Sequence, residues 1–357
     1  MARTLPILAL ILTACWKPSY NEVIETNYSF TPASGGVSGE WSVAIHDMPF
    51  QCPDQESAAM VVVYPSDEQQ PTSTTLLMHS ASFDYQYIDG PDWVSYKNPT
   101  TLTRAWGIRR VFTTLGLYTD SVTTDDMNGA IAQALIEQGS SLVIPVNCWG
   151  DLWHNDLQEG FLNDVEADNF ERMGRSAAIW GWRMMTEPSL APSYGIELPP
   201  GALQETRFAV GLGEGGRGVS ELINYEATFD GIFLDSSPDD LTVYYSDEDM
   251  NYSYVPGLER IFPTGEDETI PGSLISAPSL PDRTVYFFST EDPQVPLASH
   301  GPATSLINKL KDGWVYNTMV ERHIATGNDL ELSRQAVAHM MDKPIYVDPE
   351  EEEPPEE

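Results

Sequence analysis

The stretch Arg207–Ile223, RFAVGLGEGGRGVSELI, constrains the fold more than any other part of this chain. A short apolar run, Phe208-Ala209-Val210, gives way to four glycines within six residues. A helix-compatible segment follows at once, with Val219, Leu222 and Ile223 on one side and Ser220 and Glu221 on the other. The pattern predicts a strand, a sharp turn and a helix. Glycine crowding at such a turn means that the backbone takes positive φ or passes very close to another segment.

Two chemistries use a turn of this kind. Read as G-x-S-x-G followed by Gly, residues 211–216 are a nucleophile elbow, but the elbow position holds Gly213 instead of serine. Read as G-x-G-x-x-G, Gly211, Gly213 and Gly216 form the pyrophosphate turn of a dinucleotide-binding unit. Asp235 then closes the next apolar run (GIFLD) roughly twenty residues on, where a ribose-binding acid belongs. A third reading is a tight turn that only packs a helix onto a sheet.

The first residues point to export. Arg3, an apolar run over 5–12 and the ending Leu12-Thr13-Ala14-Cys15 have the layout of a secretory signal, too short for a membrane span. The L-T-A-C ending resembles the bacterial lipobox, which implies cleavage after 1–14 and a lipid on Cys15; Trp16 in the next position agrees with an outer-membrane address. Cys52 and Cys148 are then the remaining cysteines, and in an oxidising compartment such a pair either forms a disulfide or stays apart. Fifty-four acidic residues against eighteen basic ones give a formal charge of −36, a surface that repels nucleic acid and anionic lipid. Attachment to a membrane therefore falls to the lipid. Residues 15–27 read as a tether, 28–346 as one large domain and 347–357 as a disordered acidic tail.

Within the domain, short runs over 28–64 predict opening antiparallel strands. Later strands are expected at 75–79, 141–146, 208–210, 229–234, 284–288 and 314–320, with helices at 127–138, 170–184, 302–311 and around Leu332–Met340. Asp125 or Asp126 is the expected cap of the 127–138 helix. An aromatic-rich insert occupies about 85–124. Strands alternating with helices imply an α/β fold, a mostly parallel twisted sheet with helices on both faces.

From about Met60 to Met341 the chain resembles the α/β-hydrolase family, serine esterases and peptidases. Leu76–Ser80 (LLMHS) is similar to the strand that opens the oxyanion loop, and Val210–Gly216 to the elbow. Glu291–Pro296 (EDPQVP) is similar to the region of the family's acid, and His323 stands after the last strand, where the family keeps its histidine. The resemblance implies that Asp292 and His323 hold the acid and base positions, that Gly213 replaces the nucleophile, and that Ser80, Ala81 and the backbone of Glu214 border the oxyanion site. It implies no cofactor. With no hydroxyl at residue 213, no acyl-enzyme forms there.

Three functions follow. One is an envelope lipoprotein that has lost serine catalysis and binds a small molecule, a peptide or a partner in the inherited cleft. The second hydrolyses esters or peptides with an activated water or another nucleophile. The third is an exported dinucleotide-binding protein. Two weaker constellations are the acidic loop Asp247, Asp249, Asn251, which lacks the glycine and glutamate of a calcium loop, and Asp151, His154, Asp156, which has no further ligand at metal spacing.

Overall fold

Strands buried on both sides need apolar residues at consecutive positions, and the chain supplies them in short blocks. In the computed structural model these blocks form one sheet. The structure describes residues 28–30, 41–51, 57–66, 70–79, 104–116, 129–146, 177–194, 196–213, 215–224, 227–237, 279–292, 313–319, 324–327 and 329–345. The strands are β1 Tyr28–Phe30, β2 Trp41–Gln51, β3 Ser57–Pro65, β4 Ser73–Met78, β5 Ser140–Pro145, β6 Arg207–Leu212, β7 Gly231–Asp235, β8 Arg283–Ser289 and β9 Trp314–Thr318. Their order across the sheet is β1-β2-β3-β5-β4-β6-β7-β8-β9. The first three strands pair antiparallel, as does β3 with β5; every pair from β5 through β9 is parallel.

The period of two along each strand divides the core into two layers. Val61, Val63, Leu77, Leu142, Ile144, Phe208, Val210, Phe233, Val285 and Phe287 point into one cluster. Helices α1 Arg104–Thr114, α2 Ala130–Glu137 and α5 Leu330–Met341 cover that face. Met60, Val62, Leu76, Val143, Ala209, Ile232, Leu234 and Tyr286 point the other way. There they meet α3 (177–186), a 3-10 helix at Pro188–Tyr194, and α4 Gly215–Asn224. The expected α/β architecture, a mostly parallel sheet covered on both faces with antiparallel strands at its start, is the observed one.

One local expectation is corrected. The helix expected at 127–138 with an Asp125 or Asp126 cap begins at Ala130, and its N-cap is Gly129 at φ 88° with no side-chain cap. Its end agrees: Gly139 has φ 76° and donates its N–H to Ile136 at 2.8 Å. Within the span read as an insert, α1 carries Ile108, Val111 and Phe112, all fully buried, so this part is a layer of the core. The expected helix at 302–311 and the tail lie outside the described residues. Among the described residues no helix is long and apolar enough to cross a membrane.

Candidate functional site

Parallel strands end together, so residues far apart in sequence meet at the carboxyl edge of the sheet. At that edge β4 ends before His79, β6 before Gly213, β7 at Asp235, and β8 before Thr290-Glu291-Asp292.

The turn at Gly213 is built by close packing. Gly213 itself is buried, has φ 53° and donates its N–H to the carbonyl of Asp235 at 2.8 Å. Its own carbonyl accepts the N–H of Gly216 at 3.0 Å, which starts α4. The flanking glycines have steric causes. A Cβ on Gly211 would stand 2.2 Å from the Cα of Gly216, and one on Gly215 would stand 2.2 Å from the carbonyl oxygen of Met78. A Cβ on Gly216 would stand 1.7 Å from the Oγ of Ser237. The start of α4 is thus wedged against the ends of β4, β6 and β7, at distances that only glycine permits.

Asp235 is the second feature of this edge. Its side chain is fully buried. Oδ1 accepts the Ala325 N–H at 2.7 Å and the Ser236 hydroxyl at 3.0 Å. Oδ2 accepts the Thr326 N–H at 2.9 Å and, more closely still, the Thr326 hydroxyl. Burial pushes the carboxyl above its ordinary range, and the bonds from Thr326, Ala325 and Ser236 oppose that rise. This arrangement corrects the dinucleotide reading. The acid that would meet a ribose is sealed inside the protein with both oxygens engaged.

The remaining predicted site residues divide simply. Asp292 lies at the carboxyl end of β8, half-buried. The end of β8 is tied to the end of β9, since the Thr290 N–H and hydroxyl both donate to the Thr318 carbonyl, at 2.9 and 3.1 Å. Ser80, Ala81, Glu214, His323, Cys15, Cys52 and Cys148 lie outside the described residues, as do both weaker acidic constellations. Among the described residues no group of three or more His, Cys, Asp or Glu is placed to hold a metal ion. A cavity of about 500 Å³, lined by Pro188, Pro192, Ile196, Pro199, Pro200 and Leu203, is formed by the segment leading into β6 and not by the strand ends that carry Gly213 and Asp235. Sequence reasoning missed the Asp235–Thr326 contact. The available signal was an acid closing an apolar strand, followed by two small hydroxyl residues, Ser236 and Ser237.

No protein-family model matches the chain, and no curated protein matches it. Solved structures do. The esterase domain of a Rhodothermus marinus protein is similar at 13% identity and a TM-score of 0.39, over 84% of this chain and 95% of that one. A fluorophosphonate-binding serine hydrolase of Staphylococcus aureus is similar at 10% identity and a TM-score of 0.44, over 84% and 98%. An acylaminoacyl peptidase of Pyrococcus horikoshii is similar at 12% identity and a TM-score of 0.48, over 91% of this chain but only 43% of the peptidase. The class is defined by the chain's own topology. The antiparallel opening strands, the β5-β4-β6 crossover and the tight strand-to-helix turn after β6 make this an α/β-hydrolase fold.

Proposed function

We propose that the protein is a lipid-anchored envelope protein that does not use a serine nucleophile and binds a small molecule, a peptide or a partner over the carboxyl edge of its sheet. The observation that carries this reading is Gly213: the turn between β6 and α4 has a glycine where a hydrolase of this fold presents its attacking hydroxyl. The L-T-A-C sequence at Cys15 supports the lipid anchor, and the charge of −36 disfavours nucleic acid as a partner. Asp292 at the end of β8, in the acid's expected place, supports an inherited acid–base pair with His323.

The test is hydrolysis of short-chain nitrophenyl esters by the purified chain, by Gly213→Ser and by His323→Ala. The expected result is an inert parent and an active Gly213→Ser. Turnover by the parent that disappears in His323→Ala overturns the binding role and establishes a hydrolase that uses an activated water or another nucleophile. Inertness of both parent and Gly213→Ser removes the inherited acid–base pair from the reading.

A further inference from the structure

The segment that joins α3 to β6 forms its cavity of about 500 Å³ at the amino edge of the sheet, the end opposite Gly213 and Asp235. Bonds to the strand starts fix its place. The Thr74 N–H donates to the Thr206 carbonyl at 2.9 Å, and the Gln204 N–H donates to Thr74 Oγ1 at 2.6 Å. Arg207 Nε donates to the Met185 carbonyl at 3.2 Å, which brings the end of α3 to the same edge. The six residues of β6 separate this edge from the Gly213 turn by about 20 Å.

The walls of the cavity are stiff. Pro188, Pro192, Pro199 and Pro200 line it, and each ring locks its own φ. The Ile196 N–H donates to the Ala191 carbonyl at 3.0 Å, the Ala202 N–H to the Pro199 carbonyl at 3.1 Å, and Gln204 Nε2 to the Gly201 carbonyl at 2.8 Å. Ala191 and Ile196 are buried and form the floor, whereas the four prolines and Glu197 are exposed around it. A recess of this size with rigid apolar walls takes a small ligand at little ordering cost.

Its polar chemistry is one-sided. Proline carries no N–H, and the Ile196 and Ala202 N–H groups are spent within the segment. Among the described residues that line the cavity, the single polar side chain is that of Glu197, and an ionised carboxylate only accepts. Residues 187–206 hold Glu187, Glu197 and Glu205 and no Lys, Arg or His, in a chain whose net charge is −36. An anion entering here meets a negative field and no donor side chain. An ammonium group meets the Glu197 carboxylate and keeps part of its hydration at the exposed rim, while an apolar body covers the floor.

We propose that this cavity is a second binding site, selective for a small organic cation: an ammonium group held by Glu197, on an apolar body seated over Ala191 and Ile196 between the prolines. The proposal is independent of the reading of Gly213 and of the carboxyl edge.

The test follows the amide ¹H–¹⁵N signals of the full chain in about 150 mM salt, which screens the general attraction of an acidic surface for cations. The probes are 2-phenylethylammonium, the neutral 2-phenylethanol and the anion phenylacetate. The cation is expected to shift the Ala191, Ile196 and Ala202 signals saturably, with a Kd of about 1 mM or tighter. The alcohol is expected to bind several-fold more weakly, and phenylacetate to leave these signals unmoved. Glu197→Gln changes an exposed side chain and leaves the fold intact. It is expected to weaken binding of the cation by about threefold or more, as the loss of a partly solvated ion pair implies, and to leave binding of the alcohol unchanged. No saturable shift at the three amides overturns the proposal. So does equal binding of cation and alcohol, or a Glu197→Gln variant that binds the cation as the parent does, because the cavity is then an apolar recess without charge selection. Shifts of equal size over the whole acidic surface also overturn it, since the cation then follows net charge alone. No readout involves turnover, so an inert Gly213→Ser defeats the functional reading without touching this site.

Discussion

Position 213 has φ 53°, a value that a side chain makes strained. Gly213→Ala is expected to cost about 1–2 kcal/mol of stability, read as a lower urea midpoint at an unchanged slope. Gly216→Ala is expected to cost more, about 2–3 kcal/mol, because the new methyl would meet Ser237 Oγ at 1.7 Å and the helix start must shift. The reverse order would mean that backbone strain, not crowding, dominates this turn. A second residue prediction concerns His46 on β2. Burial pushes its imidazole below the ordinary value, with Asp47 opposing weakly, and Nε2 has no hydrogen-bond partner among the described residues. The folded protein therefore holds fewer protons than the unfolded chain between the lowered value and about 6.5. Stability from this group is fully present above that window and is lost as the pH falls through the folded value. Urea midpoints at pH 7.5 and pH 5 should differ less in His46→Gln than in the parent.

Between elements, α2 and α5 are joined by a buried ion pair. Arg334 Nε and Nη2 donate to the two oxygens of Glu137 at 2.8 and 3.1 Å, and the Glu137 side chain is fully inaccessible. Removing only the cation leaves a carboxylate in the core, so Arg334→Met is expected to cost about 3–5 kcal/mol. The pair Glu137→Leu with Arg334→Met should cost far less, and a double-mutant cycle by urea unfolding checks this. An additive cycle would show that the two groups do not interact. Neighbouring bonds reinforce the contact: Lys343 Nζ donates to the Gln138 carbonyl at 2.7 Å and to Thr72 Oγ1 at 2.9 Å, closing the carboxyl end of α2. Elements of this kind were unequally legible in the sequence. β4 through β8 could be read because strands buried on both faces carry short apolar blocks. Helix α1 could not. Its sequence, RAWGIRRVFTT, mixes Gly, Thr and three arginines with the apolar residues, and only tertiary contact shows that Ile108, Val111 and Phe112 face the core. At the site, the glycine turn was legible from composition. The Asp235 node was not, because it joins residues ninety positions apart through backbone N–H groups that carry no sequence signature.

For the whole molecule, a net charge of −36 means self-repulsion that the folded state concentrates. Raising the salt from about 10 mM to several hundred millimolar shortens the screening length from roughly 30 Å to a few ångströms. The Tm is expected to rise along that series, and a flat or falling Tm would show that the acidic surface is already balanced locally. The mixed sheet was foreseen from the order of strand and helix patterns, yet its strand order was not, since pairing partners leave no trace in single-strand periodicity. That order matters during synthesis. β3 does not pair with the next strand to emerge, β4, but with β5 on one side and β2 on the other. β5 leaves the ribosome roughly seventy-five residues after β3, about 4–15 seconds at ordinary elongation rates. Over that interval a nascent ribbon ending in MVVVY presents an unmatched, strongly apolar edge. The growing chain is therefore most in need of a chaperone during that interval, well before Gly213 or Asp235 has been made.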